Sequence, residues 1–214
     1  MRLFGLYGAS GYGREVMPVV RRQLTEAGEA VFIDDGQHGR VVNGHRILNW
    51  ESFMTERADE KRVCIAIADS GVREKLASRC SEARLTFASA ISENVIIMDE
   101  VEMADGAILS PFVTLTSNIK IGRHFHANIY SYVAHDCRIG DFVTFAPAVK
   151  CNGNVIVEDG AYIGTGAILR QGTHEKPLVI GRGAVVGMGA VVTKDVPAGV
   201  TVIGNPARPL EKKS

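Results

Sequence analysis

Residues 115–145 read LTSNIKIGRHFHANIYSYVAHDCRIGDFVTF. Every sixth residue is apolar: Leu115, Ile121, Ala127, Val133, Ile139 and Phe145. The register runs back through Leu109, Met103 and Ile97 to Ile91, and forward through Cys151, Val157 and Ile163 to Leu169; it breaks, then resumes at Ile180, Val186 and Val192. All seventeen positions are apolar in a chain that is 46% apolar overall. Chance produces that about twice in a million before the six frames are counted. Four residues further on in each hexad comes a second inward position, filled mainly by small residues such as Ala107, Val113, Ala161 and Ala184. Glycine often follows the first position, as in Ile121-Gly122 and Ile163-Gly164. So short a period marks a β-helix or solenoid; an ordinary all-β domain would alternate with period two between irregular turns.

The pattern resembles the hexapeptide-repeat proteins. That resemblance implies a left-handed parallel β-helix, with three hexads to a triangular coil of about 18 residues and an interior narrow enough to demand small side chains. The break at residues 170–179 (RQGTHEKPLV) adds five residues to one hexad, and its Gly, His, Lys and Pro mark a loop pushed out at a corner. Residues 196–209 (VPAGVTVIGNPARP) are expected to leave the coil and fold back along it.

The first 85 residues follow a different grammar. Residues 2–7 (RLFGLY) form a strand that enters a glycine-rich turn, Gly8-Ala-Ser-Gly-Tyr-Gly13. Residues 14–27 have helical spacing, with Gly28 as the stop; residues 30–35 (AVFIDD) and 62–68 (RVCIAIA) read as strands, and residues 72–80 as a helix. This β-α-β order predicts a small Rossmann-like parallel sheet. The expected domains are therefore residues 1–85 and 86–214, the first α/β and the second the β-helix with a C-terminal tail.

Composition narrows the function. Twenty-four basic residues balance twenty-four acidic ones, so no net field draws nucleic acid or an anionic membrane. The start, MRLFGLYGASG, lacks a signal peptide's basic n-region and long apolar run, and no segment is apolar enough to span a bilayer; a cytoplasmic protein is expected. Cys64, Cys80, Cys137 and Cys151 show no CxxC spacing and read as reduced thiols.

Two clusters could carry chemistry. His135 and Asp136 fall at outward and corner positions of a hexad; one coil earlier stand Ser117-Asn118, one coil later Gly153-Asn154. Histidine is the natural general base near neutral pH, and a carboxylate on its other ring nitrogen would fix its tautomer. A solvated surface histidine is the plain alternative. His124 and His126 read as surface or interface residues, while His38, His45 and His174 lie in loop-like contexts. A related β-helix family binds zinc through a histidine pair five apart; no such pair exists here, and no metal is expected. The second cluster is the glycine turn with Asp34-Asp35, where a helix N-terminus could meet a phosphate and a carboxylate a ribose hydroxyl. Its order, GxxGxG, departs from the dinucleotide fingerprint, and the short domain suits a nucleoside diphosphate better than NAD. A packing turn with no ligand is the alternative.

Strand–GASGxGREV–helix, then FIDD, IAIADSGVREKL, AHDCRIGDF and IGNPARP, resembles the PglD/NeuD-type nucleotide-amino-sugar acetyltransferases over essentially the whole chain. The resemblance implies an acetyl-CoA-dependent N-acetyltransferase acting on the 4-amino group of a UDP-linked 4-amino-4,6-dideoxy sugar in bacterial glycan biosynthesis. It makes His135 the catalytic base and Asp136 its acidic neighbour. It assigns Ser10, Gly11, Tyr12, Asp34, Asp35, Ala68 and Asp69 to the nucleotide sugar, and Thr144, Gly153, Gly164 and Met188 to the acetyl-CoA cleft. Some relatives carry a second histidine where Thr144 stands. Backbone N–H groups of residues 151–154 are expected to meet the oxyanion, and Arg170, Lys194 and Arg208 the CoA phosphates. The family implies a homotrimer with active sites between subunits. Sialic-acid-type O-acetylation and a noncatalytic nucleotide-sugar-binding module remain alternatives; an NAD-dependent oxidoreductase is disfavoured by the short first domain and the lack of a hydride-transfer site.

Overall fold

The computed structural model describes residues 1–24 and 28–210. The chain divides into two compact units: Met1–Ile91 with Asp105–Ile108, and Ser92–Ala104 with the chain from Leu109.

The first unit is α/β. Its elements are β1 (Arg2–Tyr7), α1 (Gly11–Gln23), β2 (Gly28–Ile33), β3 (Val41–Val42), β4 (His45–Leu48), α2 (Trp50–Thr55), β5 (Glu60–Ile65), α3 (Ser70–Glu82) and β6 (Thr86–Phe87). The sheet order is β3-β4-β2-β1-β5-β6. β1 pairs in parallel with β2 and β5, and only the edge strand β3 is antiparallel. The three central strands end in continuous buried runs, Leu3–Tyr7, Ala30–Ile33 and Val63–Ile65, because both faces of the sheet are covered there, as parallel sheets require. Phe4, Leu6, Val16, Val20 and Phe32 pack into its core. Helix α1 starts three residues earlier than the spacing suggested and ends at Gln23; the rest of the expected helix, residues 25–27, lies outside the described residues. Both later strands begin two residues early, so Asp34 and Asp35 follow β2 instead of ending it.

The second unit is the left-handed parallel β-helix. Strands of two or three residues stack 18 residues apart: Thr114 pairs with Tyr132, Tyr132 with Lys150, Lys150 with Ile168. The three flat faces carry the strands at 114–115, 119–121 and 126–127 and their successors. Every first-position residue from Leu109 to Val192 is buried, whereas Ile97 in the opening coil is 44% exposed. The second inward position also accepts bulk: Phe125 is buried edge-on to Phe145, with ring centroids 5.2 Å apart.

The corners follow a rule of their own. The fourth position of successive hexads has positive φ: 58° at Asn118, 54° at His124, 59° at Tyr130, 59° at Asp136, 57° at Phe142. A hydrogen bond from the fifth-position N–H to the second-position carbonyl closes several of these corners, as from Ser131 to Asn128. That is a type II turn, which needs a left-handed residue at its third place.

Two expectations are corrected. The C-terminal stretch does not leave the coil at residue 196: Thr201–Ile203 pairs in parallel with Val185–Val186, and the chain reverses only after Gly204, where Arg208–Pro209 pairs antiparallel with residues 202–203. His124 and His126 are not surface residues; they are 2% and 0% exposed, and His124 stacks on Phe142 with ring centroids 5.1 Å apart. A polar residue at an outward position reads as solvated, and the sequence does not reveal that this stretch of the face is covered.

Candidate active site

His135 stands third in its hexad, in the corner that follows the strand Tyr132–Val133. Its Nδ1–H donates to Asp136 Oδ2 at 2.7 Å. A carboxylate only accepts, so Nδ1 carries the proton and Nε2 is left with a lone pair. Asn118, one coil earlier, donates from Nδ2 to Asp136 Oδ1 at 3.3 Å. The Asp136 carboxyl is held below its usual value chiefly by the His135 hydrogen bond; desolvation opposes this, and the hydrogen bond from Asn118 and the charges of His135 and His174 add smaller lowering effects. Gly153, one coil later, lies against the imidazole: a Cβ there would stand 2.5 Å from His135 Cε1 and Nε2. Beneath the corner, the Cys137 thiol donates to the carbonyls of Asn152 at 3.2 Å and His135 at 3.6 Å.

The same corner carries the extruded loop. Gly172 N–H donates to the Gly153 carbonyl at 3.0 Å, and the loop walls a cavity of about 470 Å³ with Thr173 and His174. Asn118, Lys120, Asp136 and Arg138 line its other side. His174, read from sequence as an idle loop residue, therefore faces Asp136. Its register says nothing, because the inserted residues take it out of the repeat. Asn118 was legible as a member of the corner column, though not as a hydrogen-bond donor.

The expected acetyl-CoA residues separate. Gly153 shares the corner of His135. Thr144 is 2% exposed on a different face, in the strand Thr144–Phe145. Gly164 and Met188 follow the strands Tyr162–Ile163 and Val185–Val186, which stack on that of Thr144 in the same face; a Cβ on Gly164 would meet Met188 N at 2.6 Å, and the Met188 side chain projects into solvent, 81% exposed. Within one chain, then, Gly164, Met188 and Thr144 do not converge on His135. Arg170, Lys194 and Arg208 are all exposed; the first two follow strands of the same face as Tyr132–Val133.

In the first unit, Ser10, Gly11, Asp34, Asp35, Ala68 and Asp69 gather just past the carboxyl ends of β1, β2 and β5. In open α/β sheets that is the ligand edge. Ser10 is the N-cap of α1 without using its side chain as the cap, and a Cβ on Gly11 would meet nothing within 4 Å. Gly13 has a packing duty, since a Cβ there would overlap the Gly8 carbonyl. The Tyr12 hydroxyl is buried, and burial pushes its pKa up. Asp34 is occupied with shaping the turn: it accepts from Ala9 N–H at 3.2 Å, Gly36 N–H at 3.0 Å and Gln37 Nε2 at 3.0 Å. Asp69 caps α3, accepting from Val72 N–H at 2.8 Å. The buried Arg73 donates to the carbonyls of Ile67 and Ala68, fixing that loop.

Sequence reading missed a cluster at this edge. Arg79 lies over the Trp50 ring, 4.3 Å from its centroid, and donates to Tyr7 Oη at 3.2 Å and Asp35 Oδ2 at 3.4 Å. Asp35 Oδ1 accepts from Trp50 N–H at 2.8 Å. Burial, opposed by Arg79, raises the Tyr7 hydroxyl to about 12. The hairpin β3–β4, turned by Asn43-Gly44, was the available signal that Trp50 returns to the sheet. Among the described residues, no group of three or more His, Cys, Asp or Glu is placed to hold a metal ion.

Comparison with known proteins places these features in a family. Residues 4–80 match the PglD N-terminal domain. The chain is 48% identical to the GDP-perosamine N-acetyltransferase of Escherichia coli O157:H7, over 99% of this chain and 98% of that protein. Its fold matches WeeI from Acinetobacter baumannii AYE with a TM-score of 0.95 at 59% identity, over 98% of this chain and all of that one. It also matches the acetyltransferase domain of PglB from Neisseria gonorrhoeae FA1090 in complex with acetyl coenzyme A, with a TM-score of 0.88 at 26% identity over 98% of this chain and 99% of that one. The chain belongs to the PglD-type sugar N-acetyltransferases, enzymes that use acetyl-CoA as co-substrate.

Proposed function

We propose that the chain acetylates the 4-amino group of a nucleoside-diphosphate-linked 4-amino-4,6-dideoxy sugar, with His135 as general base, in bacterial surface-glycan or glycoprotein sugar biosynthesis. The observation that carries it is the 2.7 Å hydrogen bond from His135 Nδ1 to Asp136, on a side chain that is 48% exposed. That bond leaves Nε2 free to take a proton.

An amine attacks only when neutral. Its nitrogen forms the bond to the thioester carbonyl carbon, Nε2 accepts the N–H proton, and the C–S bond breaks. The imidazolium then returns that proton to the CoA thiolate, so the products are an amide and free CoA. Asp136 stabilises the imidazolium without taking the proton itself. For the oxyanion, the N–H groups of Asn152 and Asn154 are already given to the carbonyls of Leu169 and His135. Gly153 N–H, next to the imidazole, is the donor we assign. Ser10 and Gly11, on the open side of the turn at the start of α1, are assigned to the diphosphate.

Two nucleotides enter the test for different reasons. UDP is what the family resemblance implies, and GDP is what the name of the relative at 48% identity carries. The experiment is thiol release from acetyl-CoA across UDP-, GDP- and dTDP-linked 4-amino sugars. A tenfold or greater preference in kcat/KM identifies the base, and His135→Ala is expected to lower turnover at least 100-fold. Full turnover in that variant overturns the assignment of His135. Nucleotide-sugar binding without any CoA release supports the noncatalytic module instead.

We also propose a homotrimer. Thr144, Gly164 and Met188 belong to one face of the chain and His135 with Gly153 to another, and three copies around an axis would bring one copy's His135 corner to the next copy's Met188 corner. The mass in solution tests this.

A further inference from the structure

We propose that Asn118 is a positioning residue for the reaction, setting the carboxylate of Asp136 from one coil below; this rests on the assignment of His135 as base. Asn118, Asp136 and Asn154 form a corner column 18 residues apart, with φ of 58°, 59° and 55°. The simple explanation of such a column is conformational, since Asn and Asp tolerate left-handed backbone better than other residues with side chains. The rest of the β-helix argues against it. The equivalent positions elsewhere hold Phe112, Tyr130 and Ala148, or His124 and Phe142, all at φ between 54° and 64°. This scaffold does not require Asn at its corners.

What distinguishes this column is the side-chain bonding along it. Asn118 Nδ2 donates to one Asp136 oxygen while His135 Nδ1 donates to the other. The carboxylate is held at both ends and cannot rotate away from the imidazole. Asn118 also lines the cavity beside Asp136, together with the charged or titratable Lys120, Arg138 and His174. A neutral amide gives Asp136 a donor there without adding another charge.

Glycine separates the two explanations, because it adopts the corner backbone freely and the scaffold already uses it at Gly160 and Gly166. Asn118→Gly is expected to melt like the parent and keep both KM values within about twofold, while kcat falls about 5- to 20-fold. Asn118→Asp keeps the shape but sets carboxylate against carboxylate, and is expected to lose more. In an Asp136→Gly background, Asn118→Gly is expected to cost nothing further, since its effect passes through Asp136. Parental kcat in Asn118→Gly, or an undiminished loss in the Asp136→Gly background, overturns the proposal. His135→Ala measured in parallel tells that failure apart from failure of the base assignment.

Discussion

At the scale of the residue, the site depends on a side chain that is missing. Gly153 leaves the space into which the His135 ring settles, and a methyl there would stand 2.5 Å from two ring atoms. Gly153→Ala must therefore swing the imidazole, and misplacement by about 1 Å is enough to lose 10- to 100-fold in kcat. Thiol release checks the rate and a thermal melt checks the fold; an unchanged kcat would mean that the ring's seat is unimportant. Asp136 yields a second expectation. Its carboxyl is held below the ordinary value, so it stays ionised as the pH falls from 7 toward 5 and is neutralised only below the usual carboxylate range. Activity lost on mild acidification then reports protonation of the base. Asp136→Asn should be about 10- to 100-fold slower yet keep an acid limb in kcat/KM, and a flat profile in that variant would reassign the limb to Asp136.

At the scale of the element, the corner rule has an energetic consequence. An L-residue in the left-handed region costs about 1–2 kcal/mol, and glycine gives back about 0.5–1 kcal/mol of that in unfolded-state entropy. Ala148, at φ 58°, has only a methyl group to lose. Ala148→Gly is expected to raise the melting temperature by about 2 °C, and a fall in a calorimetric scan would show that its contacts outweigh the strain. The elements also show what could be read in advance. The hexad was legible because Leu115, Val133 and Cys151 each obey the same local rule, with no knowledge of distant partners. The hairpin before Trp50 and the landing place of His174 were not legible. Both depend on where a non-repeating segment returns, which no local period encodes.

At the scale of the whole molecule, the separation of His135 from Gly164 and Met188 sets up a test of subunit sharing. His135→Ala and Met188→Arg each damage a different corner. If sites form between copies, co-expressing the two inactive variants should restore about a quarter of the parental activity, because random mixing joins two intact corners at about one interface in four. Activity no higher than that of either variant alone would place each site within one chain. Both variants should still be stabilised by acetyl-CoA or nucleotide sugar in a melt, wherever the altered residue leaves that ligand's contacts intact.

The extruded loop says where such a molecule can change length. Along a face, adding or deleting one residue would turn every later side chain inside out, sending Val157 or Ile163 toward water and their polar neighbours into a dry interior. Between Leu169 and Leu178 the extra residues disturb nothing, since the coil closes above and below them. New length is thus confined to corners, and the corner used here is that of His135 and Asp136. The wall beside Asp136 can change in size and composition through this one loop while the repeating scaffold stays fixed in register.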